Sequence, residues 1–226
     1  MAKLTWDEVG ERLYETGVSN GVLFVQKSDG TYNEGVAWNG LTSVNHSPEG
    51  AEKTDLWADN TKYLSLRSAE DLNFTINAYM SPEEFDECDG SVEVAPGITI
   101  GQQKRAGFGF CYKTIVGNDT AKDDYGYKIH IYYGCSASPS ERENSTVNDS
   151  PEATELSWEC STTPVNIPGH KPSASITIHS NRVPADKLAE FENLIYGDAD
   201  TEPKLPTPEE IIAIFATTNT SNEAAG

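Results

Sequence analysis

The stretch FGFCYKTIV at Phe108–Val116, the polar stretch GNDTAKD at 117–123 and the stretch YGYKIHIYYG at Tyr125–Gly134 decide the fold. In the first run Phe108, Phe110 and Tyr112 share one face; in the second Tyr127, Ile129, Ile131 and Tyr133 do, the period-two alternation of a β-strand. The Gly-Asn-Asp stretch between them supplies turn formers, so the segment reads as a long hairpin. The same alternation recurs over Asp71–Met80, where Leu72, Phe74, Ile76 and Ala78 oppose Asn73, Thr75, Asn77 and Tyr79. Val22–Gln26, Val36–Val44, Thr61–Arg67, Glu155–Thr163 and Ser173–Ser180 complete roughly eight strands.

Helices are expected to be few. Ser81-Pro82-Glu83-Glu84 has the form of a capping box with proline at the first helical position, and Gly90 closes that helix. After Pro184, residues Leu188, Phe191, Leu194 and Ile195 fall on one helical face that must pack on a sheet, with Gly197 as the stop. Thr207-Pro208-Glu209-Glu210 is another capping box, opening a short apolar helix. These signals predict one mainly β domain over 1–226: an N-terminal arm at 1–20, a β-sandwich or barrel-like body at 21–182 with long polar loops at 45–59 and 136–151, a helical segment at 183–216 and a flexible tail at 217–226.

Composition narrows the function. At 226 residues the chain is long enough to bury a core in one domain. Cys88, Cys111, Cys135 and Cys160 lie far apart without a CxxC pair, which predicts free buried thiols rather than a zinc site or a disulfide framework. The first residues lack the apolar region of a secretory leader, so the chain is expected to be made in a cytoplasm without a membrane segment. With 36 acidic against 16 basic residues and a net charge of −20, the chain is not built to grip nucleic acid. Two explanations of that charge stand: it maintains solubility, or it keeps DNA from adhering to a conduit wall.

Enzyme motifs fail. Gly107-Phe108-Gly109 has Tyr112 where a dinucleotide fingerprint requires its third glycine, and there is no Walker lysine. The run 119–124 is superficially calcium-like, but His130 stands where an EF-hand has its bidentate glutamate, so it reads as a turn. His46, His130, His170 and His179 sit in separate segments, each with a strand or surface position as its default. No carboxylate pair is singled out, so neither catalytic residues nor a cofactor are expected.

From Asp124 to Ser180 the succession of strands, polar loop and strands resembles the tail tube (major tail) proteins of long-tailed bacteriophages. So do Gly21–Phe24, Gly35–Val44, Ala58–Asn60 with Lys62–Leu64, Ala78–Tyr79 with Pro82–Phe85, and Pro96–Gln103. The resemblance runs over nearly the whole chain and favours the non-contractile, siphophage type. It implies a β-sandwich or barrel-like tail-tube fold with a flanking helix, in a virion protein assembled in the host cytoplasm. Copies would close into hexameric rings that stack into a hollow tube around a tape-measure protein, bounded by tail-terminator and tail-tip proteins. Double-stranded DNA would pass without specific binding. Ser47, Pro48, Glu49, Gly50, Glu52 and Lys53 are then candidates for ring-to-ring contact. Pro139, Ser145, Thr146, Asn148, Asp149 and Pro151 are candidates for a loop ordered on assembly. Asp119, Asp123, Asp124 and Glu141 are candidates for lumen charge, beside an inner sheet drawn from 71–80, 108–116 and 125–134. The alternative is a β-sandwich carbohydrate- or surface-binding module whose platform would come from Trp38, Trp57, Tyr132, Tyr133 and Trp158.

Overall fold

The computed structural model describes residues 4–147, 149 and 153–216. Fourteen strands follow in chain order: β1 (Leu13–Val25), β2 (Val36–Trp38), β3 (Leu41–His46), β4 (Glu49–Gly50), β5 (Lys53–Ala58), β6 (Thr61–Arg67), β7 (Glu70–Asp71), β8 (Phe74–Ala78), β9 (Val92–Ala95), β10 (Ile98–Ile100), β11 (Phe108–Asn118), β12 (Lys122–Ala137), β13 (Leu156–Thr162) and β14 (Ser175–His179). Between β8 and β9 a 3-10 turn at Glu83–Phe85 runs into α1 (Asp86–Asp89); after β14 come α2 (Ala185–Tyr196) and α3 (Pro208–Phe215). No helix of the described residues is long and apolar enough to cross a membrane.

The main sheet has the order β2-β1-β11-β12-β13-β8-β3, with β14 also paired to β12, and its pairings are antiparallel. Its two edge strands, β2 and β3, are separated in sequence only by Asn39 and Gly40. The sheet must therefore curl until its ends nearly meet, which hides most of its edge. Two glycines make the curl possible. Gly40 (φ +77) redirects the chain from β1 toward β8. Gly134 (φ +57) bends β12 so that residues 128–132 pair with β14 and 135–137 with β13. A Cβ at Gly134 would lie 2.6 Å from the Thr163 carbonyl oxygen.

Alternation along these strands builds two cores on opposite sides of one sheet. Inside the curl lie Leu23, Val25, Trp38, Phe74, Ile76, Phe108, Phe110, Tyr112, Tyr132 and Trp158. On the outer side, Val22, Phe24, Cys111, Ile129, Ile131 and Tyr133 meet Leu188, Phe191 and Ile195 of α2 and Ile211 of α3. Because Phe110 pairs with Tyr132 and Cys111 with Ile131, the aromatic face of β11 points into the curl and the Ile129/Ile131 face points to the helices. All four cysteines are free and buried, and burial pushes the Cys88 and Cys111 thiols up to about 12.

Several expectations need correction. Residues 13–20 are not an arm: Leu13–Thr16 and Ser19 pair with β11, and two register shifts, with Gly17 and Asn20 at positive φ, disguise the strand. Val36–Val44 is two strands rather than one, divided at Gly40. The capping box at 81–84 does not form: Pro82 itself is the N-cap, no side chain caps the turn, and Ser81 lies one residue too early to reach it. The box at Thr207 does form, with Glu210 N–H donating to Thr207 Oγ1 at 3.3 Å and Thr207 N–H donating to Glu210 Oε2 at 2.9 Å. The expected tail at 217–226 lies outside the described residues.

Fully buried Phe191 ties the helix layer to the sheet. Phe191→Ala is expected to lower the unfolding free energy by about 3–5 kcal/mol, whereas substitution of exposed Glu190 changes it by under about 0.5 kcal/mol. Urea denaturation measures both; a loss below ~1 kcal/mol for Phe191→Ala would mean that the helices are not an integral layer.

Candidate assembly surface

Of the expected loop at 45–59, Asn45 and His46 complete β3, and residues 49–59 are the first half of a β-hairpin arm. β4 pairs with β7 at its root, Glu49 opposite Asp71 and Gly50 opposite Glu70, and β5 pairs with β6 beyond it from Lys53/Arg67 to Ala58/Thr61. Between the two ladders, Ser68 N–H donates to the Glu52 carbonyl at 3.1 Å and Glu52 N–H to Ser68 Oγ at 3.0 Å. At the tip Asp59 and Asn60 both take left-handed φ, the conformation that Asp and Asn tolerate in tight hairpin turns. No residue from 49 to 71 enters either core.

The arm is two-faced. Asp55 accepts from Lys62 at 2.8 Å and from Ser65 at 2.5 Å, with Lys53 at 3.4 Å. Thr54 and Leu56 lie opposite Leu66 and Leu64 on the other face. Leu56, Leu64 and Leu66 are exposed, as are Trp57 (69%) and Tyr63 (71%). A lone two-stranded ribbon is marginal in water, and an uncovered apolar ribbon of this kind marks a contact surface. A second ribbon, β9–β10, turns at Pro96-Gly97 and exposes Val92, Val94, Ile98 and Ile100. Leu4, Trp6 and Val9 are exposed before β1.

Among the described residues, one face of the main sheet carries no second layer. On β3, β8 and β13 the inward rows are Val44/Ile76/Trp158 and His46/Phe74/Cys160; the outward rows are Asn45/Thr75/Glu159 and Ser43/Asn77/Ser157, continued by Ser136/Ser161. Glu159 is the one charged group in those outward rows, and no base stands among them. Asn77 Nδ2 donates to Ser43 Oγ at 2.8 Å. Phe108–Tyr112 and Ile129–Tyr133, by contrast, are covered on both faces by the chain itself. Of the strands expected to form an inner wall, β8 has an open outward face along its length, and its partners there are β3 and β13.

The remaining candidates separate into groups. Ser47, Pro48, Glu49, Gly50, Glu52 and Lys53 form the root of the arm. The apolar residues toward its tip were missed, although Thr54/Leu56 and Leu64/Leu66 alternate on either side of Asp59-Asn60. Asp119, Asp123 and Asp124 gather at the β11–β12 turn. There Asp119 accepts from Gly10 N–H at 3.0 Å, a bond that holds its carboxyl below the usual range, and Asp123 accepts from Tyr14 Oη at 2.8 Å. Glu141 follows the other end of β12, a strand of 16 residues or ~50 Å, and does not join them. Pro139, Ser145, Thr146 and Asp149 are exposed in the irregular segment after β12; Asn148 and Pro151 lie outside the described residues. Of the five aromatics considered for a sugar platform, Trp38, Tyr132, Tyr133 and Trp158 are buried in the cores, leaving Trp57.

Compared with models of protein families and with curated proteins, the chain matches none.

Because Glu52 and Ser68 are hydrogen-bonded neighbours, Lys53–Arg67 can be replaced by a two-residue turn. The shortened protein is expected to unfold cooperatively with its stability changed by under about 0.5 kcal/mol, measured by thermal and urea denaturation. A loss above ~2 kcal/mol would show that the arm supports the core.

Proposed function

We propose that this chain is the structural subunit of a phage tail tube of the non-contractile type, and that its work is geometric rather than catalytic. Copies close into hexameric rings through head-to-tail contacts, and the rings stack without closure into a hollow conduit. The observation that carries this reading is the arm at 49–71: a long ribbon with bare Leu, Trp and Tyr side chains that a solitary protein gains nothing by displaying. A neighbouring copy in the next ring is the partner that would cover it. The second ribbon and the apolar N-terminal residues offer further contacts within or between rings.

The open β3–β8–β13 face supports the conduit side of the same reading. A wall of Ser, Thr and Asn with one Glu and no base offers duplex DNA hydrogen-bonding groups but nothing that displaces its counterions, so DNA slides instead of binding. The tape-measure protein would occupy this bore before ejection, with terminator and tip proteins at the tube ends. Such a protein is assembled in the host cytoplasm and resides in the virion tail.

Purified protein, concentrated and viewed by negative-stain microscopy, is expected to form rings or tubes. The double variant Trp57→Ser/Tyr63→Ser should stay folded and unpolymerised, because exposed aromatics of this kind are where interface energy concentrates, about 2 kcal/mol or more each. A wild-type protein that remains monomeric at millimolar concentration would sink the proposal.

The wall is tested separately. Tubes carrying Thr75→Lys with Glu159→Lys are expected to retain short duplex DNA at low salt and release it as salt rises, while wild-type tubes retain none. Equal retention by the two would move the wall to another face.

A further inference from the structure

The arm is joined to the body at a cluster of ionisable side chains that tube building does not require. His46 ends β3, three residues before the arm begins, and its ring faces the mouth of the curl. Its Nε2 lies 3.0 Å from the Tyr112 hydroxyl and 2.8 Å from the Tyr132 hydroxyl, and these hydroxyls are 3.4 Å apart. Both tyrosines are buried, and their rings are parallel within 1° at 6.0 Å. On the other side of Tyr112, the His130 ring stacks at 4.7 Å. Its Nε2 is 3.0 Å from Thr114 Oγ1 and 3.4 Å from Glu15 Oε1, and its Nδ1 is 3.3 Å from Thr177 Oγ1. Glu15 also accepts from Thr114 at 2.6 Å and pairs with Lys128. Glu15, His46, Tyr112, Thr114 and His130 border an open pocket of about 480 Å³.

Proton counting shows what the cluster does. With His46 neutral and its proton on Nδ1, one tyrosine hydroxyl donates to Nε2 and the other to the first hydroxyl, so both hydroxyl protons have an acceptor. A second proton on His46 turns Nε2 into a donor. Three protons then share two hydroxyl oxygens, and one tyrosine hydroxyl loses its acceptor within the cluster, which costs the root one hydrogen bond. The charges facing His46 do not repair this. β1 brings Glu15, already paired with Lys128; β12 brings Lys128 and His130, which also gains charge in acid; β11 brings only Tyr112, and β8 opposes His46 with Phe74. On β14, Thr177 contacts His130, and His179 interacts with Lys128 and Glu15.

We propose that the His46–Tyr112–Tyr132 cluster is a proton-sensitive latch that fixes the root of the arm when His46 is neutral and frees it when His46 is protonated. Ser47 N–H donates to the Asn73 carbonyl at 2.8 Å, so release at His46 passes directly into the β3–β8 pairing from which the arm springs. Desolvation lowers the His46 imidazole below its ordinary value, with Glu15 opposing it in part; His130 is lowered by the same cause. A lowered folded-state value means that the latch contributes fully above the ordinary imidazole range and is lost as pH falls through and below it. The consequence for assembly, slower ring stacking in acid, rests on the tail-tube reading; the latch itself does not.

The test uses dilute, unpolymerised full-length protein. Hydrogen exchange corrected for intrinsic rates is expected to show Ser47 protection falling roughly tenfold between pH 7.5 and pH 5, the effect of one hydrogen bond lost from the cluster. In His46→Gln the protection should be independent of pH, while His130→Gln should keep the wild-type dependence. An NMR titration of wild-type protein needs no variant: the His46 Cε1–H and Ser47 amide transitions should share one midpoint. Flat Ser47 protection, an unchanged dependence in His46→Gln, or a Ser47 midpoint that follows another group would overturn the latch. Absence of polymers at every pH, with the root still opening in acid, would overturn the tube and support the latch.

Discussion

The Phe108–Tyr112 and Ile129–Tyr133 parts of the β11–β12 hairpin are covered on both faces, and the rest of the molecule is arranged around that constraint. A sheet with one apolar face needs one partner layer; this pair needs two. The curl of the sheet supplies one cover, bringing Phe74, Ile76 and Trp158 over Phe108, Phe110 and Tyr132. The C-terminal helices supply the other by laying Leu188, Phe191 and Ile195 on Ile129 and Ile131. Once both are in place, β3, β8 and β13 are left with a free outer face, and the chain between β3 and β8 has nowhere in the core to go. The arm at 49–71 is therefore an excursion from a closed body, joined to it through the pairing of β3 with β8.

That division explains what could be read in advance. Strands packed by alternation announce themselves: β8, β11 and β12 were legible, as were α2 with its Gly197 stop and α3 with its capping box. The first half of β1 was not, because its pairing with β11 slips twice near Gly17 and Asn20 and no alternating pattern survives two slips. β2 and β3 looked continuous because Gly40 marks a change of sheet position that only the closed topology reveals. In the arm the ion pairs of Asp55 with Lys53 and Lys62 dilute the apolar signal until the segment resembles a polar loop, although the ladder is regular.

The surface and the latch depended still more on tertiary placement. A free sheet face is legible only once it is known which strands the helices cover: of the stretches expected to line an inner wall, β8 keeps an open outward face, shared with β3 and β13, while Phe108–Tyr112 and Ile129–Tyr133 are covered. His46 and His130 stand far apart in sequence and individually have unremarkable strand contexts. Tyr112 brings them together, stacking on one ring and offering its hydroxyl to the other. Residues on one strand face can be predicted from period two; a cluster assembled from β1, β3, β11, β12 and β14 cannot.

The charge of −20 takes on a different meaning in this arrangement. The acids crowd the C-terminal segment from Asp186 to Glu210, the arm root, the segment from Glu83 to Asp89 with Glu93, the β11–β12 turn and the residues before β1, whereas the outward rows of β3, β8 and β13 contain Glu159 alone. Repulsion from exposed acids fades over about 8 Å at physiological ionic strength, so acids at turns and arms act on what approaches the ends of the strands more than on what lies against the open face. A DNA conduit lined by that face would be non-adhesive because it lacks cations, not because it is densely negative. The acidic excess would instead set how strongly subunits repel before their apolar ribbons meet, making ring stacking easier as salt screens the charge.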